Sequence, residues 1–220
     1  MLRRLTLVLA ILALGVLSGR AQSEEWKQLF NGKDFTGWEH VGPGRFVIED
    51  GLLKSEGGMG LLWYTPEKIG NAVIRVVFKV STNDDNSGVF FRIPEKPTEA
   101  WVPVNRGYEA QIDNGFRHLH DEYHCTGVLY SLTKALAYPQ KRPGEWNTME
   151  ITLDGPRIIV SVNGRKVTDY REGQPVPPKG RWFEPDRGPR PQIGYIGLQN
   201  HDEKSTVYFK EVAVKPLEKK

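Results

Sequence analysis

Beyond residue 21 the chain is built of short runs in which apolar and polar positions alternate, and helical spacing is almost absent. In "AVIRVVFKV" (72–80), Ala72, Ile74, Val76, Phe78 and Val80 share one face, and Val73, Arg75, Val77 and Lys79 take the other. Such a run predicts a strand with one face in a core. "RFVIEDGLLKSEG" (45–57) predicts two strands about an Asp50-Gly51 turn, and the run from Asn147 to Tyr170 predicts hairpins with a further turn at Asn163-Gly164. "SGVFFRI" (87–93), "YEAQIDN" (108–114), "TGVLYSL" (126–132), "YIGLQN" (195–200) and "STVYFKEVAVKPL" (205–217) add further strands. About a dozen short strands with no repeat period predict an all-β sandwich or jelly roll of two antiparallel sheets. Three stretches read as long loops: 94–107, 136–146 and 173–192, the last rich in Pro, Arg and aromatic residues. Loops of that length in a compact domain are characteristically functional.

The first 21 residues fall outside this pattern. Arg3 and Arg4 precede an uncharged apolar run from Leu5 to Leu17, and small residues lead to Ala21. That order predicts a secretory signal peptide over 1–21, cleaved after Ala21, because a membrane span needs about 20 apolar residues. The expectation is a soluble exported protein, periplasmic or extracellular, with a single domain over 22–220. Cleavage also changes the charge. The net charge of +3 comes from 30 basic and 27 acidic residues. Arg3, Arg4 and Arg20 leave with the signal, so 30 − 3 leaves 27 of each sign. A near-neutral chain gives no case for nucleic acid as a partner, and signal cleavage leaves no integral membrane span. Cys125 is the sole cysteine, so no intramolecular disulfide is possible and an unpaired thiol is expected.

The polar faces of the predicted strands carry candidate chemistry. In 108–114, Glu109, Gln111 and Asp113 project from one side and Tyr108, Ala110 and Ile112 from the other. In "YIGLQNH", Gln199 and His201 share a side, and in "SGVFFRI" Arg92 shares a side with Gly88 and Phe90. Carboxylates and amides hydrogen-bond sugar hydroxyls, and aromatic rings pack on the apolar face of a pyranose. Trp63, Trp101, Trp146 and Trp182 are available for stacking. Carbohydrate is therefore the expected ligand class.

Seven motifs then recur in order: "LFNGKDFTGW" (29–38), "NSGVFFR" (86–92), "YEAQIDN" (108–114), "TGVLY" (126–130), "PGEWNTMEI" (143–151), "VNGRKV" (162–167) and "IGLQNH" (196–201). Together they resemble the 3-keto-disaccharide hydrolase family, across essentially the whole chain beyond the signal. The resemblance implies a concanavalin A-like jelly-roll sandwich, as in lectins and glucanases, secretion, and action on glycosides oxidised at C3. It places the family's polar positions on Arg92, Glu109, Gln111, Asp113, Tyr130, Gln199 and His201.

Geometry bears on the reaction class. Positions i and i+2 of a strand lie about 7 Å apart and i and i+4 about 13 Å, whereas a glycosidase pair needs roughly 5–5.5 Å or 6.5–9.5 Å between carboxyl groups. Glu109 and Asp113 are too far apart, and Gln111 between them is no acid or base. A C3 ketone relaxes the demand, because it acidifies the C2 hydrogen. One base can then remove that hydrogen, expel the C1 glycosidic oxygen and leave an enone that water rehydrates. Glu109 or His201 could be the base, Arg92 or a divalent cation the enolate stabiliser, and Tyr130 or His124 the acid. Gln111, Asp113, Gln199 and the four tryptophans above are the candidate binding groups. The cofactor is open; a divalent cation could sit at "HLHDEYH" through His118, His120 and His124, although no structural zinc spacing is matched. "NDDN" (83–86) could hold Ca²⁺ but reads more simply as a turn. Two rival readings stand beside the enzyme: a non-catalytic carbohydrate-binding module, and a conventional glucanase-like hydrolase with Glu150 as the second carboxylate.

Overall fold

The alternation in 72–80 translates directly into structure, with Ala72, Ile74, Val76, Phe78 and Val80 all buried and Val73, Arg75 and Lys79 half-buried on the other face. The computed structural model describes residues 25–115 and 121–217; the signal-peptide expectation falls outside them. Among the described residues the elements are β1 (Lys27–Gln28), β2 (Trp38–Val41), β3 (Arg45–Glu49), β4 (Leu52–Glu56), β5 (Gly60–Tyr64), β6 (Ala72–Val80) and β7 (Asn86–Ile93). A short helix α1 (Trp101–Arg106) precedes β8 (Tyr108–Asp113), β9 (Asn147–Asp154), β10 (Arg157–Val162), β11 (Arg165–Arg171), β12 (Tyr195–Asn200) and β13 (Val207–Pro216). No helix among them is long and apolar enough to cross a membrane.

The strands form two antiparallel sheets. The larger runs β11-β10-β9-β6-β13-β4-β3, with β1 also pairing β13, and the smaller runs β2-β5-β12-β7-β8. The two predicted hairpin turns are present. Asp50 and Gly51 (φ 52° and 77°) link β3 to β4, and Asn163 and Gly164 (φ 49° and 76°) link β10 to β11. Both central residues lie in the left-handed region that two-residue hairpins require.

The main core fills the space between the sheets, with Ile74, Val76 and Phe78 from one layer and Leu62, Val89, Phe91, Ala110, Ile112 and Leu198 from the other. A second apolar cluster of Leu61, Trp63, Phe90, Ile93 and Val104 lies on the opposite face of the smaller sheet, where α1 covers it. The smaller sheet is therefore buried on both faces. That explains why β5 is apolar along most of its length instead of alternating.

Two expectations are corrected here. Residues 101–106, read as loop, form α1, which has no side-chain cap and contains Pro103. Residues 126–132, read as a strand, are irregular. They line the outer edge of β8 through backbone hydrogen bonds around an Ala110–Leu129 bridge, without forming a regular strand. Left-handed backbone at Gly127 (φ 92°) and Ser131 (φ 62°) breaks the extended run.

Candidate functional site

Cross-strand register decides which side chains meet. Glu109 lies opposite Phe90, Gln111 opposite Gly88 and Asp113 opposite Asn86, all on the face of the smaller sheet turned away from the main core. On the other edge of β8, Gln111 N–H donates to the Val128 carbonyl (3.0 Å) and Tyr130 N–H to the Glu109 carbonyl (3.0 Å), setting Tyr130 beside Glu109. β12 lies between β5 and β7 and carries Gln199, with His201 just beyond its end. These elements enclose a cleft of about 290 Å³ lined by Glu109, Gln111, Tyr130, Gln199 and His201, together with Met59, Val104, Trp101, Trp182 and Phe183. One part is hydrogen-bonding and the other is an aromatic wall, with Trp101 and Trp182 ring centroids 5.2 Å apart and Phe183 edge-on to Trp182 at 5.6 Å.

The polar groups of the cleft have spare capacity. Glu109 is 7% exposed and Gln111 and Gln199 are also buried. Yet one side-chain oxygen of each has no hydrogen-bond partner among the described residues. Buried polar atoms are normally paired, so three unpaired acceptors around one cleft form a surface prepared for hydroxyl donors. Burial alone pushes the Glu109 carboxyl up to about 8, so it holds its proton at neutral pH. Tyr130 is also pushed upward, first by burial and then by the nearby charges of Glu109 and Glu184, which keeps its hydroxyl a donor. Glu109 lies over β7 at Gly88, where an added Cβ would come within 2.1 Å of Oε1 and 2.7 Å of Cγ. Only glycine leaves the carboxyl room there. His201 is exposed at the rim, and its Nδ1 is 2.8 Å from Asp202 Oδ2. Asp202 is itself fixed by N–H donors of Lys204 (2.7 Å) and Ser205 (2.9 Å).

Other predicted residues lie elsewhere. Arg92 was expected on the face of Gly88 and Phe90. A bulge between β7 and β12 inserts a residue there, and Arg92 takes a left-handed backbone (φ 54°). Gly194 accommodates the bulge, since a Cβ at that position would meet Arg92 Cα at 2.5 Å. The Arg92 guanidinium is wholly buried, donates to the Gly155 carbonyl and lies 3.5 Å from Glu172, away from the cleft. Trp63 is on the correct face but sealed under the second apolar cluster, edge-on to Tyr195 at 5.0 Å. Trp146 packs against Lys79 and Lys210 from the larger sheet, ring centroid to ammonium 5.0 and 4.8 Å. Glu150 faces outward from that same sheet beside Arg75.

Asp113 shares the face of Glu109 but stands outside the cleft lining, half-buried and accepting from Gly115 N–H at 2.7 Å. His124 packs edge-on to Tyr130 at 4.8 Å, with its Nδ1 engaged by Asp121 at 2.5 Å. His118 and His120 lie outside the described residues. Among the described residues no group of three or more His, Cys, Asp or Glu is arranged to hold a metal. In "NDDN", the Asp85 carboxylate caps a turn, accepting from Ser81 N–H (2.6 Å) and Thr82 N–H (2.7 Å). Cys125 is fully buried and burial pushes its thiol up to about 12, which leaves it inert.

Residues 25–215 match the family of 3-keto-alpha-glucoside-1,2-lyase-like domains. The chain belongs to that family. This is the family that the seven ordered motifs resemble. A candidate glycosyl hydrolase from Parabacteroides distasonis is 27% identical, with a TM-score of 0.73 over 92% of this chain and 99% of its own. A second candidate glycosyl hydrolase from the same organism is 26% identical, with a TM-score of 0.72 over 88% of this chain and all of its own. A carbohydrate-binding module of Bacillus subtilis shares the fold at 15% identity and a TM-score of 0.54, covering 81% of this chain and 95% of its own. No curated protein matches. The two-sheet architecture is thus the expected jelly-roll sandwich, in the setting of a 3-keto-glucoside lyase-like domain.

Proposed function

We propose that this lyase-like domain cleaves 3-keto-glycosides by removal of the C2 proton, β-elimination and hydration. The observation that carries the proposal is Glu109, buried with an unpartnered side-chain oxygen in a cleft whose lining, among the described residues, contains no other carboxylate. Among the described residues the cleft offers no second carboxylate for a glycosidase pair, and Glu150 lies on the other sheet, which favours a one-base route. Elimination needs only one base and one acid. His201, held at Nδ1 by Asp202, takes the C2 proton. The C2–H electrons pass to the C3 ketone as an enolate, which accepts a hydrogen bond from the Tyr130 hydroxyl, since Arg92 lies away from the cleft. The enolate collapses to a C1=C2 enone and expels the glycosidic oxygen, which takes the Glu109 proton. Water then adds at C1 with Glu109 as base, and His201, at the exposed rim and in exchange with solvent, protonates C2. The products are a 3-keto sugar and the free alcohol. Gln111 and Gln199 orient the ring hydroxyls, and the residue 1–21 segment exports the chain.

The test is incubation in D₂O of a 3-keto-disaccharide and its unoxidised parent, with and without chelator. The expected outcome is release of 3-keto sugar carrying deuterium at C2, no product from the parent, and loss of product formation in Glu109→Gln and His201→Ala. Product lacking C2 deuterium would remove the elimination route. Saturable binding with no product under any metal supplement would favour a carbohydrate-binding module instead.

A further inference from the structure

The segment 173–192 that supplies Trp182 and Phe183 has no regular secondary structure, yet two arginines fasten it to the sandwich. Arg190 is buried and donates from Nε to the Gly107 carbonyl (3.0 Å) and from Nη2 to the Asn105 carbonyl (3.0 Å), at the end of α1. That tie holds the segment to the helix carrying Trp101. Arg187 ties it to a different element. Its Nη2 reaches Ser131 Oγ (2.9 Å), in the residue that follows Tyr130, and Glu184 Oε2 (3.0 Å). Nε and Nη1 donate to the carbonyls of Pro177 (2.8 Å) and Pro185 (2.6 Å). Glu184 also accepts from Gly180 N–H (2.8 Å), closing the stretch that bears Trp182 and Phe183 into a compact turn. Trp182 is 76% exposed, so its packing alone does not hold it in place.

We infer that Arg187 is a positioning residue that makes the aromatic wall a fixed subsite for a second ring of the substrate. The inference rests on the cleft being a glycoside site. One planar guanidinium serves acceptors on Ser131, Glu184 and the Pro-rich turn at once, which a lysine ammonium on a flexible stem cannot reproduce. Ser131 holds a left-handed backbone beside Tyr130, so the same clasp joins the wall to a cleft hydroxyl. The hydrogen-bonding part of the cleft engages one ring, and the Trp101–Trp182 pair offers a face to another.

The experiment compares Arg187→Met, Arg187→Lys and Trp182→Ala on two substrates, a 3-keto-disaccharide and a methyl 3-keto-glucoside, with melting temperature checked for each variant. The expected result is a rise in KM for the disaccharide about tenfold greater than for the methyl glycoside. An Arg187→Ala variant measured alongside them should show the same loss, and added guanidinium should restore part of it. Equal losses on both substrates, or none on either, would overturn the inference. Should wild type turn over neither substrate, the enzyme reading fails, and tryptophan fluorescence titration with maltose and methyl glucoside tests the subsite by itself. A preference for maltose that Arg187→Met abolishes supports it; no preference in wild type sinks it.

Discussion

Glu109 couples the cleft to the stability of the whole chain. Its ordinary value of 4.5 is raised to about 8 by burial, so the folded protein holds a proton that the unfolded chain releases. The proton-linked stability is fully present below pH 4.5 and is lost as pH rises through 8. Glu109→Gln removes that dependence. It should stabilise the fold relative to wild type above pH 8, on the order of a few kcal/mol, and converge with wild type in acid; chemical denaturation at several pH values measures this. At this scale the sequence was informative where strand alternation held. Glu109, Gln111, Gln199 and His201 were legible because amides and a carboxylate recurred on one side of predicted strands. Asp202 and Arg187 were not, because each acts by holding another group in place, and nothing in local periodicity marks such a partner.

At the level of elements, the bulge in β7 redirects the site. The pattern of "SGVFFRI" assigns Arg92 to the cleft, and one inserted residue turns it to the interior with Glu172. Removing one member of a buried ion pair costs about 3–5 kcal/mol. Here Glu172 keeps Tyr108 Oη at 2.7 Å and Arg190 N–H at 2.9 Å, so the lower end of that range applies. Arg92→Met should lower the melting temperature by roughly 5–10 °C, with turnover per folded molecule within about threefold of wild type. A hundredfold fall in kcat at an unchanged melting temperature would return Arg92 to the chemistry. The hairpins were legible because Asp-Gly and Asn-Gly dictate their own turns. Helix α1 was not, because six residues with a proline and no cap have little intrinsic helical preference, and contacts with the sheet hold them.

At the scale of the molecule the two sheets divide the labour. The smaller sheet builds the cleft, while the outer face of the larger one carries a row of lysines and rings, Lys79 lying 4.7 Å from the Tyr208 ring and 5.0 Å from Trp146. Trp146→Ala should therefore leave turnover of a 3-keto-disaccharide unchanged and cost at most about 2 kcal/mol of stability, read by thermal melts. The strand order carries a consequence for synthesis. β12, which follows every other strand of the cleft-building sheet in chain order, is an inner strand of it, between β5 and β7. Until it arrives, the nascent chain carries two unpaired apolar edges where the sheet should be continuous, the kind of surface that chaperones shield. A polypeptide halted before Tyr195 would thus lack the Gln199 and His201 side of the cleft and be prone to aggregate.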